Sequence, residues 1–160
     1  MTNVKFMNPF VEAASKVLMA EANLDVRKGS ISLQKSAVTV DEITVLVNLV
    51  GHVQGVVLYG MPVKTGLALV SRMIDREFIE FDDLAQSGIA ELGNVITGQA
   101  SIKLAECGYS STISSPTLIL GNGVQISTLD FPRILVPLDT YIGIIFVHLA
   151  LRENPLGSQS

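Results

Sequence analysis

Charge is scarce in this sequence. Only 16% of its 160 residues are Asp, Glu, Lys or Arg, against about a quarter in an ordinary soluble domain. The net charge is −4 and no run of Lys or Arg exists. The chain therefore lacks the positive stripe that a phosphate backbone requires, and a nucleic-acid partner is not expected. Cysteine is scarcer still. The single Cys107 permits no internal disulfide. Free cysteine is among the most buried residue types, so a core or near-core thiol is expected. A catalytic thiol would want a histidine beside it, and nothing in the sequence puts one there.

Other enzyme signals are missing too. His52 and His148 are the only histidines, each on or beside an expected strand. Without a Cys/His cluster no zinc site is expected, and both should play structural roles. No Gly-rich loop runs into Lys-Ser/Thr, and no G-x-S-x-G elbow joins a strand to a helix. Long apolar runs are absent as well. The longest, Ile142 to Leu151, includes His148 and is about half of what a membrane helix needs. Residues 1–10 hold one Lys and no long apolar segment of the signal-peptide kind. A soluble, cytoplasmic protein without membrane contact is expected.

What is present is apolar. Residues of the hydrophobic set make up 48% of the chain, too many for disorder and enough for a substantial core. We expect one domain over 1–154 and a short flexible tail at 155–160. With so little charge to cover it, part of the apolar surface is expected to meet a partner or a second copy.

The pattern along the chain is mixed. Asn8-Pro9 opens a helix, Asn as cap and Pro at the first helical position. Phe10, Ala13, Ala14, Val17 and Leu18 recur at helical spacing, and this helix should end near Asn23. Extended segments follow at Ile31–Leu33, Glu42–Val50 and Gly55–Tyr59. Gly51 and Gly55 bracket a tight connection, so the last two should form a hairpin. A second helix runs from near Met61-Pro62 to Ile74. The longest starts at Asp82-Asp83, two acids that suit a positive helix end, and runs to about Glu106, with Gly108 as its stop. Strands are expected at 112–113, 117–120, 124–128, 134–138 and 141–151, with a turn at Gly121-Asn122-Gly123.

This order predicts a single α+β domain: a mostly antiparallel sheet with the long helices packed on one face. It also hints at duplicated halves. Each begins with a long helix and ends in paired strands, and Gly55–Tyr59 resembles Gly143–Val147.

The long helix holds the residues worth pursuing. Ser87, Glu91, Asn94, Gly98 and Ser101 are spaced 4, 3, 4 and 3, which at about 100° per residue forms one stripe. It is small and polar, whereas Ala85, Ile89, Leu92 and Ile96 on the opposite side should sit on the sheet. Gly93 and Gly98 are each unfavourable by about 1 kcal/mol relative to alanine in a helix interior. Either another protein comes close to this face or the glycines allow close packing within the fold. Taken by periodicity alone, Glu91 and Asn94 read as an ordinary solvated helix face.

Ser87-x3-Glu91-x2-Asn94, followed downstream by Pro116, resembles the signature of the CheC/CheX/FliY chemotaxis phosphatases. That signature is Asp or Ser, three residues, Glu, two residues, Asn, then a proline further on. Pro116 arrives about one residue early for the pattern. Asn8-Pro9-Phe10 at the first helix is similar to the CheX branch, and the helix–strand order fits along nearly the whole chain. In the first helix Asn8-x3-Glu12-x2-Ser15 repeats the spacing with Ser in place of Asn. One full motif resembles the CheX type, so one site is expected, and Glu12 and Ser15 should be a plain polar face.

The resemblance implies hydrolysis of the aspartyl phosphate of a phosphorylated CheY-type response regulator. Asn94 would position the attacking water, Glu91 would pair with the regulator's lysine, Ser87 and Gly98 would support the contact, and Pro116 would shape a loop or strand end. It implies no cofactor or metal of the chain's own, with Mg²⁺ supplied by the regulator, and homodimerisation through sheet edges. Two other readings fit the same helix: a non-catalytic module binding a response regulator or flagellar switch component, and a structural homodimeric scaffold.

Overall fold

The computed structural model describes residues 4–35, 37–39, 41–121, 123–127 and 132–155. A short 3-10 turn, Val4–Phe6, leads into α1 (Met7–Ala22). Three short strands follow, β1 (Arg27–Lys28), β2 (Ser32–Gln34) and β3 (Ala37–Thr39), then two long ones, β4 (Ile43–Gly51) and β5 (Val53–Met61). Helices α2 (Val63–Ile74) and α3 (Asp83–Glu106) stand in the middle of the chain. The strands β6 (Ser111–Ile113), β7 (Thr117–Leu120), β8 (Gln125–Ser127), β9 (Arg133–Thr140) and β10 (Gly143–Glu153) complete it.

Two hairpins rich in β-branched residues make the centre. β4 pairs with β5 from Ile43↔Met61 to Leu49↔Gly55, and β9 with β10 from Thr140↔Gly143 to Ile134↔Leu149. The hairpins join antiparallel along β5 and β10, where Val147 faces Tyr59. Short strands extend both sides, β1 and β2 on β9 and β6 and β7 on β4, giving an open antiparallel sheet of 8 strands. β3 and β8 pair separately. The similar segments Gly55–Tyr59 and Gly143–Val147 thus lie on adjacent strands, β5 and β10, but meet only at their ends, where Val147 pairs with Tyr59. Each half contributes a long helix and a long hairpin, and α2 is an addition to the first.

Alternation along the strands decides where the helices go. Ile43, Val45, Val47 and Leu49 of β4, Tyr59 and Met61 of β5, and Ile145, Val147 and Leu149 of β10 point to one face. There they meet Phe10, Ala13, Ala14, Val17 and Leu18 of α1 and Ile89, Leu92 and Ile96 of α3. The α+β architecture, with long helices on one face of an antiparallel sheet, is the one expected.

Details differ. Asn8 does not cap α1. The 3-10 turn carries the chain into the helix at Met7, with Phe6 at the cap position and no side-chain cap bond, so Asn8 and Pro9 lie inside the first turn. Gly55 lies within β5, not in the turn, which closes around His52. β1 and β3 were not anticipated: Arg27–Lys28 holds no apolar or β-branched residue to mark a strand, and Ala37–Thr39 pairs only with the distant β8. Cys107 is exposed, a correction to the expected core or near-core thiol. It follows the helix three residues after Leu104, the last buried position of α3. In the expected 121–123 turn and 124–128 strand, Asn122 and Thr128 lie outside the described residues, as do residues 156–160 of the expected tail.

Candidate functional site

Helix α3 is fixed at both ends. Asp82 caps it, its Oδ1 accepting from the Ala85 backbone N–H at 2.9 Å, which satisfies one of the amides a helix start leaves open. At the far end Gly108 adopts a positive φ of +92°, and Tyr109 N–H closes onto the Leu104 carbonyl at 2.9 Å. Glycine takes that left-handed turn without the penalty of a Cβ. Between these ends Ala85, Ile89, Leu92, Gly93, Ile96, Ala100 and Leu104 are buried against the sheet and α1.

The helix lies so close to the sheet at Gly93 that a Cβ there would stand 2.8 Å from Val45 Cγ1 and 3.3 Å from Tyr59 Cδ2. Close packing within the fold therefore accounts for Gly93. Gly98 is different. A Cβ there would meet only Ile113 Cδ1 of β6, at 3.9 Å, an ordinary contact. The fold places no such demand on Gly98.

The opposite side of α3 carries the polar stripe. Ser87 and Glu91 are exposed, and Asn94, Gly98 and Ser101 are half-buried. Ser101 Oγ donates to the Gly98 carbonyl at 2.7 Å. Among the described residues, no hydrogen bond or ion pair engages the side chains of Ser87, Glu91 or Asn94. One helical turn apart, the carboxylate and the carboxamide face the same way, with Cβ atoms about 5–6 Å apart. Pro116 stands between β6 and β7, just before the first residue of β7.

Three features of this face were not foreseen. Leu84 and Ile102, 47% and 61% exposed, lie seven residues before and eleven after Glu91, so apolar side chains flank the stripe at both ends. Those intervals are near-whole helical turns, a signal the sequence held. Next to Glu91 is a hollow of about 270 Å³ between the three helices, bordered by Val17 and Glu21 of α1, Met73 of α2, and Glu91, Leu92 and Val95 of α3. It has an apolar floor and two carboxylates on its rim. No local pattern announces it, because three separate helices build it.

The other polar candidates lie elsewhere. Glu12 of α1 is tied to Lys103 of α3 at 3.0 Å. His52 sits exposed in the β4–β5 turn. His148 is buried on the sheet face away from the helices and accepts from Arg133 Nε at 2.9 Å. Burial first, then the adjacent guanidinium charge, pull its pKa down to about 4, which keeps it neutral near pH 7. Among the described residues no helix is long and apolar enough to cross a membrane.

Fold and site define an α+β protein that presents an uncommitted polar helix face, flanked by apolar side chains, on the outside of a well-packed sheet. The model of the family described as chemotaxis phosphatase CheX matches residues 43–139, from β4 into β9 and including all of α3. The chain belongs to the CheX family of chemotaxis phosphatases. It is 24% identical over 127 residues to the CheY-P phosphatase CheX of Thermotoga maritima, a match covering 79% of this chain and 82% of that protein. The crystal structure of the chemotaxis protein CheX from Desulfovibrio desulfuricans superposes with a TM-score of 0.84 at 26% identity, covering 93% of this chain and 100% of that one. A chain of the CheX–CheY–BeF3–Mg2+ complex from Borrelia burgdorferi superposes with a TM-score of 0.76 at 25% identity, covering 94% of this chain and 100% of that one.

Proposed function

We propose that this protein dephosphorylates a CheY-type response regulator by presenting α3 to the regulator's phosphorylated aspartate. The observation that carries this reading is the pair Glu91 and Asn94, unengaged on the outer face of a helix that Gly93 and the core hold against the sheet. The relative from Thermotoga maritima, named a CheY-P phosphatase, and the CheX–CheY complex from Borrelia burgdorferi support it.

An acyl phosphate hydrolyses by itself; it lacks a water held in line. The regulator brings the phosphoryl group, the Mg²⁺ ion and a lysine. Asn94 supplies the missing part. Its carboxamide both donates and accepts, so it can hold a water against phosphorus while remaining neutral beside the phosphoryl oxygens. The water attacks phosphorus, the bond to the aspartate oxygen breaks, and inorganic phosphate leaves. The gain is orientation, as with the glutamine that orients water in GTPases.

Glu91 pairs with the regulator's lysine through a charge-assisted bond that sets how deep Asn94 enters. Glu21 on the rim of the same hollow adds negative charge where that lysine arrives. Leu84 and Ile102 give the contact apolar ends, and Ser87 and Gly98 let the regulator's backbone come close. Two copies of the chain associate through sheet edges: β2, β6 and β7 carry no charged residue, unlike β1 with Arg27 and Lys28, and strands without charged gatekeepers remain open to pairing. Light scattering of the purified protein should give twice the chain mass; a monomer at all concentrations removes that part.

The test is the decay of a phosphorylated CheY-type regulator with Mg²⁺ and catalytic amounts of this protein. Decay should accelerate with the wild type and return to the regulator's own rate with Asn94→Ala, while binding is largely kept. Full activity of Asn94→Ala would refute the water-positioning role. Unchanged decay with wild type across several regulators would leave a docking surface without hydrolysis.

A further inference from the structure

We propose that Tyr59 and Thr97 are positioning residues for Asn94, because a buried chain of two hydrogen bonds runs from Tyr59 through Thr97 to the peptide group that leads into Asn94. The inference rests on the proposed role of Asn94 and extends it inward, from the exposed face of α3 to the face that touches the sheet.

Tyr59 Oη and Thr97 Oγ1 lie 2.7 Å apart. Thr97 Oγ1 donates to the Gly93 carbonyl at 2.8 Å. A threonine hydroxyl has one proton, and Gly93 takes it, so Tyr59 must be the donor to Thr97. Burial pushes the Tyr59 phenol well above its ordinary pKa, which keeps that proton in place. The direction of the chain is thereby set: Tyr59 to Thr97 to Gly93. The carbonyl of Gly93 and the N–H of Asn94 belong to one planar unit. Whatever fixes that carbonyl fixes the backbone from which Asn94 projects.

Helix propensity does not explain this arrangement. Threonine is a mediocre helix former, and a hydroxyl bonded back to the carbonyl four residues earlier slightly destabilises and bends a helix. Nor does core packing require it. Tyr59 and Thr97 are 3% and 0% exposed, on a face otherwise lined by Val45, Ile89, Leu92 and Ile96. Phe and Val would fill the same space without a polar group to satisfy. A satisfied polar pair adds direction, which apolar contact does not. The pair restricts rotation and sliding of α3 at Gly93, where the helix packs tightly on Val45 and Tyr59 of the sheet. A neutral amide holding a water in line needs that restraint, since a displacement of about 1 Å can slow a positioned reaction about 100-fold.

The experiment compares Tyr59→Phe, Thr97→Val, Thr97→Ser and Asn94→Ala in the Mg²⁺-dependent dephosphorylation of a purified CheY-type regulator. Each is also titrated with that regulator loaded with beryllofluoride, for affinity and stoichiometry. Tyr59→Phe and Thr97→Val should lower kcat by about 3- to 10-fold, a part of what full misplacement would remove. KM, affinity and stoichiometry should stay at wild-type values. Thr97→Ser keeps the hydroxyl and should retain most of kcat. Wild-type kcat in Tyr59→Phe and Thr97→Val beside an inactive Asn94→Ala would overturn this inference and leave the proposed function standing. A loss seen as fewer binding sites per chain, or in KM, would make the pair merely structural and overturn it equally. Full activity of Asn94→Ala would remove the proposed role of Asn94 and this inference with it.

Discussion

Helices α1 and α3 pack side by side on the same face of the sheet and carry polar residues at the same spacing: Asn8, Glu12 and Ser15 on one, Ser87, Glu91 and Asn94 on the other. Their surroundings differ. Glu12 is bonded to Lys103 of the neighbouring helix, whereas Glu91 stands beside a hollow with a second carboxylate, Glu21, on its rim. One glutamate is engaged within the chain, and the other has no ion-pair partner among the described residues. Spacing alone therefore does not define a site on these helices. What separates them is whether the glutamate has a partner at home.

The largest effect should come from trying to exchange the two roles. Asn94→Ala should slow regulator dephosphorylation by at least about 100-fold, the scale of lost positioning. Adding Ser15→Asn to that variant completes the spacing on α1, yet activity should not return, because Lys103 stands 3.0 Å from Glu12, a like charge where a regulator lysine would have to pair. Recovery of activity in the double variant would show a second, latent site on α1 and end the asymmetry. Glu91→Ala should weaken regulator affinity by about 10- to 100-fold, as expected for a lost charge-assisted bond of about 1.5–3 kcal/mol. A titration with the beryllofluoride-loaded regulator reads it directly.

The two glycines of α3 make the same contrast within one helix. Gly93→Ala must push against Val45 and Tyr59. Overpacking of about 1–3 kcal/mol should outweigh the gain in helix propensity of about 1 kcal/mol, so the melting temperature should fall. Activity should fall with it, since the helix moves out from the sheet beside Asn94. Unchanged melting and activity would mean that the close approach at Gly93 does not matter.

Much of this was open to reading from the sequence. The three helices, the strands of both central hairpins, the turn of the first and the polar stripe on α3 were all legible, because each long element spans enough residues for its pattern to repeat and glycines marked that turn. The strands β1 and β3 were not: Arg27–Lys28 has no apolar residue to mark it, and β3 pairs only with the distant β8. Asn8 misled because the 3-10 turn before it carries the chain into the helix earlier than a cap residue would. Cys107 misled because burial statistics for cysteine do not know where a helix ends. The hollow beside Glu91 needs α1, α2 and α3 together. The Tyr59–Thr97 contact joins a strand and a helix 38 residues apart, which no local rule can anticipate.

Gly98→Ala should do the reverse of Gly93→Ala on stability. With only Ile113 near, at 3.9 Å, the added methyl should stabilise the helix by about 1 kcal/mol, or about 3 °C in melting temperature for a chain of this size. Regulator affinity should nevertheless weaken, because the methyl stands on the proposed docking face. A more stable variant with unchanged affinity would show that the contact ends before Gly98, and would confine the docking face to Ser87, Glu91 and Asn94.

The smallest effect is expected at Glu12. Its carboxylate is 57% exposed and its partner Lys103 31%, and exposed ion pairs of this kind contribute little and are screened by salt. Glu12→Gln should therefore leave melting nearly unchanged and alter kcat/KM by less than about twofold. The value of the measurement lies in its contrast with Glu91, a glutamate of similar exposure on a parallel stripe. If Glu12→Gln weakens regulator binding as strongly as Glu91→Ala, the regulator must reach across both helices, and the Lys103 bond must open to admit it. If it has no effect while Glu91→Ala has a large one, the first helix is a support for the second, and a bond to a neighbour is what separates a structural glutamate from a functional one.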